Sequence, residues 1–343
     1  MGDASILSER DAKGRLSHAV PARATVRAAL SAVLERPRFV TSRTARPVLP
    51  LLLLGGAVLF WGSSFVAIKV ALGSFPPMAV MWLRMIVATI AFAPFWRRVP
   101  RPKYLAGDWK VLTIAALFIP CLYYLLEGFA VRFTTSSQAG VISAIVPLLV
   151  AAGAWVLFRE RLGWRAGVAI ALSLVGVGVL SFAGVPQASA PNPVLGNVLE
   201  LLAMFAAAGS MLAVKHLSTR YDPWLLTGMQ AAVGVVFFAP FALAEHPSTW
   251  LAATPVAWAC IAYLGVFVSL GAFGLYNSAL KTMPATRAAL AVNVVPAVAM
   301  LLGWLLLGEA LTVWQLGACA VIVGAVVFAE LSTPIELPMG DIT

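Results

Sequence analysis

The stretch VPAVAMLLGWLLLGEALTVWQLGACAVIVGAVV, from Val295 to Val327, has a counterpart earlier in the chain, VPLLVAAGAWVLFRERLGWRAGVAIALSLVGVGVL, from Val146 to Leu180. Each stretch contains two apolar runs separated by a short turn with a carboxylate in it. One spacing of 149 residues pairs Pro147 with Pro296, Trp155 with Trp304 and Glu160 with Glu309. This repetition indicates a duplicated unit built from apolar helices.

The composition predicts an all-α membrane protein. Hydrophobic residues make up 61% of the 343 residues and charged residues 11%, whereas roughly a quarter of a soluble domain is charged. Apolar runs of about 20 residues, long enough to cross a hydrocarbon core, recur from Leu49 to Phe328. Helices satisfy their backbone hydrogen bonds internally, and the alternating runs of a membrane barrel are absent.

The spacing of the apolar runs predicts ten transmembrane helices, arranged as two inverted five-helix repeats. A Pro-rich, uncharged segment from Gly184 to Gly196 is typical of a linker between halves. The predicted helices span residues 49–72, 76–97, 109–131, 134–157, 164–184, 195–216, 222–244, 255–280, 284–307 and 313–331. The predicted domains are a basic cytoplasmic tail (1–48), a first repeat (49–184), a linker (185–195), a second repeat (196–331) and a short C-terminal tail (332–343).

Positive charges lie mainly on one side of the predicted membrane. The segment before the first helix contains nine Lys or Arg, and the loops on the same side bring the number to 21 of 24. Lysine and arginine are enriched in cytoplasmic loops, so both termini are predicted to be cytoplasmic. The protein is expected to be multi-pass in the plasma (bacterial inner) membrane. The net charge of +10 then needs no nucleic-acid partner.

The first two helices of each half also correspond, at a spacing of 146 residues. This spacing pairs Lys69 with Lys215 and Pro77 with Pro223. Because each half has an odd number of helices, the second half must be inverted relative to the first. Inverted repeats are typical of secondary transporters, in which one part rocks against another around a central site. The pattern therefore favours an alternating-access transporter.

These motifs resemble the EamA type of the drug/metabolite transporter superfamily. The resemblance rests on WGSSFVAIK (61–69), PPMAVMWLRMIVA (76–88) and the two duplicated stretches, and it covers residues 49–330. It implies a ten-helix transporter, and members of the superfamily are mostly exporters or exchangers of amino acids, related metabolites and drugs. The basic tail of 48 residues is longer than such proteins usually need.

We therefore expect a secondary transporter that exports a small polar or amphipathic metabolite, such as an amino acid. A multidrug exporter or a transporter of nucleobases or sugar derivatives is an alternative within the same fold. A membrane receptor or scaffold without transport is the alternative from another class. No catalytic residues, metal site or cofactor are predicted. The expected partners are the lipid bilayer and the substrate, with proton or counter-substrate coupling and a homodimer left open.

Three ionisable residues, Lys69, Arg84 and Glu127, fall in the outer halves of the predicted helices. A charge within a transmembrane helix costs at least about 2.5 kcal/mol, so each is a functional candidate. Arg84 either clamps a substrate carboxylate or phosphate or forms a fixed ion pair, for which Glu127 is the candidate partner. Lys69 either contributes to the site or reaches the headgroups. Glu200 is a candidate partner for Lys69 or, like Glu127, a proton carrier.

Aromatic and amide side chains complete the predicted cavity, because an amide in hydrocarbon needs hydrogen-bond partners. The predicted substrate-binding residues are Trp61, Ser64, Lys69, Arg84, Tyr124, Glu127, Tyr276, Asn277 and Asn293. Pro147 and Pro296 lie in the middle of predicted helices and are predicted hinges. Glu160 and Glu309 are expected to be structural, close to a helix N-terminus.

The basic tail contains the weakly amphipathic segment ATVRAALSAVLERPRF, residues 24–39. Three hypotheses stay open for it. It is a disordered cytoplasmic tail, a surface helix attracted to anionic lipid, or an organelle presequence. The tail lacks the apolar run of a secretory signal peptide.

Overall fold

The computed structural model of the chain describes residues 48–100, 102–158, 164–184, 186, 188–245, 247–282, 288 and 291–330. The helices of these residues are joined by turns and short loops, and the described residues contain no β-strand. The predicted basic tail up to residue 47, the C-terminal tail and the turn that contains Glu160 lie outside the described residues.

Helix lies in every segment that was predicted to be helical. The α-helices are α1 (Val48–Ala71), α2 (Pro77–Phe92), α3 (Asp108–Ala116), α4 (Tyr123–Phe133), α5 (Ser136–Ile142), α6 (Val146–Phe158), α7 (Trp164–Phe182), α8 (Pro193–Leu217), α9 (Pro223–Ala244), α10 (Pro255–Tyr263), α11 (Phe273–Thr282), α12 (Val295–Leu307) and α13 (Val313–Glu330). Prolines begin α2, α8, α9 and α10, where a residue without an N–H leaves no intrahelical bond unmade.

Seven continuous helical stretches of the described chain are long and apolar enough to cross a membrane. Shorter apolar helices cover Gly167–Phe182, Ala291–Leu307 and Val313–Phe328. The seven stretches are Leu49–Ala71, Pro77–Arg98, Asp108–Phe133, Ser136–Val156, Pro193–Leu217, Pro223–Ala244 and Pro255–Lys281. The described part of the chain therefore has the helices expected of a multi-pass membrane protein.

Two of these stretches change from α- to π-helix near their middle. The first π segment, Leu117–Leu122, joins α3 to α4, and the second, Leu264–Ala272, joins α10 to α11. In the first segment Ile119 leaves the helical conformation, with φ −130° and ψ 122°, because a following proline disfavours the α region. Such segments are rare and frequently occur at functional sites. Both contribute residues to the polar cluster described below.

The two predicted hinge prolines occupy equivalent places. A 3-10 segment, Ser143–Ile145, precedes α6, and another, Ala291–Val294, precedes α12. Pro147 and Pro296 are the second residues of these α-helices. Proline is well tolerated in a first helical turn, so each proline marks the change of helix type. Their role as hinges stays a prediction.

The halves pack on each other through corresponding helices. α2 packs on α9, α7 on α13 and α5 on α12, while α4 lies against α8 and α11 against α1. Among the described glycines, the tightest contact between the halves is between α5 and α12, where a Cβ built on Gly140 would lie 2.1 Å from Cβ of Ala299. The core between the halves therefore includes close backbone contact as well as side-chain packing.

Candidate functional site

A cavity of about 40 Å³ lies between the two halves. It has room for about three water molecules, at the 10–15 Å³ that each one needs. The first half contributes Trp61, Ser64, Phe65, Ile119, Tyr123, Ser143 and Val146, and the second half contributes Met204, Ala207, Met211, Phe273, Val292 and Val295. The wall is thus mainly apolar and aromatic, with hydroxyl groups from Ser64, Ser143 and Tyr123.

Trp61 is the centre of the aromatic wall. Its ring lies 5.1 Å from that of Phe273 and 5.0 Å from that of Tyr276. The Tyr276 hydroxyl in turn contacts Sδ of Met211 at 3.4 Å. The buried indole Nε1 of Trp61 has no hydrogen-bond partner among the described residues, although a buried donor normally has one. Trp61 therefore combines an aromatic face in the cavity wall with a buried N–H that has no partner among the described residues.

A buried ion pair lies next to the cavity. Nη1 of Arg84 is 3.3 Å from Oε2 of Glu127, and the two side chains are 1% and 2% exposed. The Tyr123 hydroxyl donates to Oε1 of Glu127 at 2.6 Å, and the guanidinium lies 4.4 Å from the centre of the Tyr124 ring. Because Tyr123 also lines the cavity, one side chain connects the cavity to the ion pair.

The polar cluster, meaning Arg84, Glu127, Tyr123, Ser269 and Gln230, also joins the two halves. Nε of Arg84 donates to Oγ of Ser269 at 2.8 Å, and Ser269 belongs to the second π segment. Gln230, 146 residues after Arg84, donates from Nε2 to the carbonyl of Ile119 at 2.9 Å, in the first π segment. Arg84 of α2 and Gln230 of α9 thus each bond to the π segment of the opposite half.

Lys69 is not among the residues that line the cavity, and its hydrogen bonds go to backbone carbonyls. Its Nζ donates to the carbonyls of Val131 and Thr134. Lys215, its counterpart, donates to the carbonyl of Leu280 at 2.6 Å, and Leu280 lies 149 residues after Val131. The hypothesis that Glu200 pairs with Lys69 is therefore wrong, because the ammonium group is satisfied by the end of α4. Both lysines bond to a helix end within their own half.

The remaining predicted site residues divide into two groups. Ser64 and Trp61 line the cavity, and Asn293 lies in the 3-10 segment between the lining residues Val292 and Val295. Asn277 instead donates to Oγ1 of Thr227 at 2.9 Å and lies behind the wall. Sequence reasoning did not identify Ser269, Phe273, Met204 and Met211, because nothing in their residue types distinguishes them from ordinary helix packing.

Two carboxylates connect the halves away from the cavity. Oε1 and Oε2 of Glu309 accept from the backbone N–H groups of Ser136 and Ser137 at 2.8 Å, at the start of α5. Glu245, after α9, accepts from the N–H of Ala79 at 2.8 Å near the start of α2. Burial raises the pKa of Glu245, and its bonds to the backbone act against this rise. Both are stabilising positions for a carboxylate.

We predict that Glu309→Gln lowers the free energy of unfolding by about 1.5–3 kcal/mol, the value of hydrogen bonds to a charged group. Glutamine has one acceptor oxygen and no charge, so one N–H loses its acceptor. Thermal melting in detergent measures the effect. Glu245→Gln is the matched comparison and should cost less, since its second bond, to Met78, is 3.4 Å long. A Glu309→Gln variant that melts like the wild type would contradict the prediction.

The comparisons with known proteins agree with this geometry. The model of the EamA-like transporter family matches residues 48–182 and, a second time, residues 194–330. The uncharacterized transporter YetK of Bacillus subtilis (strain 168) is 27% identical over 265 residues, which cover 75% of this chain and 79% of YetK.

A protein of Streptantibioticus cattleyicolor named "probable terminal-alkyne amino-acid exporter" is 27% identical over 265 residues, covering 74% of this chain and 83% of that protein. A solved crystal structure with 21% identity covers 83% of this chain and 98% of its own, with a TM-score of 0.60. At that identity the likeness shows a shared fold.

Proposed function

Because the chain belongs to the EamA-like transporter family, and is therefore a membrane transporter, we propose that it exports an amino acid or a related small metabolite by alternating access. The observation that carries this proposal is the cavity between the halves, with Trp61 in its wall and the Arg84–Glu127 pair beside it. An α-carboxylate matches the planar donor geometry of arginine, and an apolar side chain matches the aromatic wall.

We further propose ten transmembrane helices in two inverted repeats, with both termini in the cytoplasm. The double family match, the equivalent π segments and the equivalent lysine contacts support the repeat. The distribution of Lys and Arg supports the orientation. In this orientation Glu245 and Glu309 lie at the outer side, and the Asp108–Arg220 ion pair lies at the cytoplasmic side. Alternating access would break these inter-half contacts in turn.

The size of the cavity supports a conformational cycle. About 40 Å³ holds a few waters but not an amino acid, so the halves must separate before a substrate can enter. In that step we expect Arg84 to exchange Glu127 for the substrate carboxylate. Arg84 would then form the ion pair with Glu127 in the closed state and bind the substrate carboxylate in the open state, so both hypotheses for Arg84 would hold.

Transport by purified protein tests the proposal. Proteoliposomes loaded with an equimolar mixture of the common amino acids should exchange it for the same radiolabelled mixture outside. Parallel assays with cationic drugs and with nucleotide sugars test the alternatives within the fold. Liposomes without protein give the background. Exchange of drugs or nucleotide sugars alone would overturn the substrate class, and exchange of none of the three would favour a protein without transport.

A further inference from the structure

Glu200 is a buried carboxyl that the polar cluster does not use. Its side chain is 0% exposed, and neither carboxyl oxygen has a hydrogen-bond partner among the described residues. It lies seven residues into α8, about 10 Å along the helix at 1.5 Å per residue. Its position is therefore well inside the membrane rather than at the lipid headgroups.

The helix face that contains Glu200 leads to the cavity. Met204, Ala207 and Met211 follow it at intervals of four, three and four residues, and all three line the cavity. Residues at these intervals share one face of an α-helix. Glu200 is thus one turn beyond the cavity wall, on the side predicted to face outside.

The ionisable neighbours of Glu200 are Glu127 and Tyr123 of α4. Lys69 interacts instead with Glu309 and Arg132. α5 and α6 contain no ionisable residue, and α3, α7 and α11 have theirs near the opposite ends, apart from Tyr276 beside Met211. Arg84, Glu127 and Glu200 together therefore provide one cation for two carboxyls.

An ionised, unpaired carboxylate in a low-dielectric interior is strongly unfavourable, and such a group takes up a proton instead. Two neighbouring carboxyls that share one cation likewise do not both ionise. Glu127 has the cation and the Tyr123 hydroxyl, so it is the ionised member. We propose that Glu200 is a proton-binding site of this transporter: it holds a proton in the closed conformation and exchanges it with water when the halves separate. This inference rests on the proposed function.

Proton binding at Glu200 would couple the transport cycle to the proton gradient. In the closed state these three side chains have no net charge, because Arg84 is cationic, Glu127 is anionic and Glu200 is protonated. When the site opens to water, desolvation no longer disfavours the carboxylate and the proton leaves for bulk solvent. Closing then requires that a proton be taken up again. The proton gradient therefore acts on the closing step, through the protonation of Glu200.

Infrared difference spectroscopy of the purified protein tests the site without any substrate. At neutral pH the wild type should show the carbonyl band of a protonated carboxylic acid, and Glu200→Gln should lose it. Glu245→Gln is the control, because Glu245 bonds to the backbone at the start of α2 and lies outside this group of charges, and it should keep the band. Glutamine is nearly isosteric with the neutral acid, so Glu200→Gln should melt at the wild-type temperature. A spectrum without the band, or a band that Glu200→Gln leaves in place, would overturn the proposal.

Transport gives the second readout. With an equimolar mixture of the common amino acids, we expect Glu200→Gln liposomes to retain exchange at equal pH and to lose stimulation by a pH gradient. Equal stimulation of wild type and variant would overturn the coupling role. If the wild type exchanges no amino acid while the infrared band is present, the substrate class fails and the proton site stands.

Discussion

The Arg84→Gln variant is expected to melt at a much lower temperature than the wild type. Removal of one member of a buried ion pair costs about 3–5 kcal/mol, a large part of the roughly 5–15 kcal/mol that stabilises a typical protein. The cost arises because Glu127, 2% exposed, would keep only the Tyr123 hydroxyl as a partner. Thermal melting in detergent, and the yield of monodisperse protein, measure the loss.

The double variant Arg84→Gln/Glu127→Gln separates structure from function. Two amides can bond to each other without a buried charge, so we expect it to melt at a higher temperature than Arg84→Gln alone. If Arg84 also binds the substrate carboxylate, the double variant is folded and does not exchange amino acids. Wild-type exchange by the folded double variant would restrict Arg84 to a structural role.

The helices and the duplication could be predicted from the sequence because both depend on local information. Apolar length and the prolines at helix starts determine where a membrane helix lies, and constant spacings reveal the repeat even at low similarity. Arg84 and Glu127 could be recognised because a charge is rare in hydrocarbon, and because both lack charged counterparts in the second half. The structure pairs them.

The sequence predictions that were wrong concern the direction in which a side chain points around its helix axis. Counting residues gives the depth of Lys69 and Glu200 but not the direction in which each side chain points, and the predicted contact between them does not exist. Ser269 was missed for a similar reason, since its contact with Arg84 depends on the second π segment. The first π segment contains Pro120, a residue that interrupts an α-helix, whereas the second contains no proline.

The Gly140→Ala variant is expected to prevent the closest contact between the two halves. The added Cβ would lie 2.1 Å from Cβ of Ala299, where no side-chain rotation can relieve the overlap. Overpacking of this kind costs about 1–3 kcal/mol or more. Since Gly140 belongs to α5 and Ala299 to α12, the backbones of the two halves must move apart.

This displacement should affect transport more than stability, because the contact lies beside the cavity: Ser143, one turn after Gly140, lines it. Gly178→Ala is the matched control, as it adds the same methyl group to a helical glycine with no atom within 4 Å. We expect Gly140→Ala to lower the melting temperature and to abolish amino-acid exchange, with Gly178→Ala close to wild type in both. Equal exchange by the two variants would mean that the halves do not need to close at this contact during the cycle.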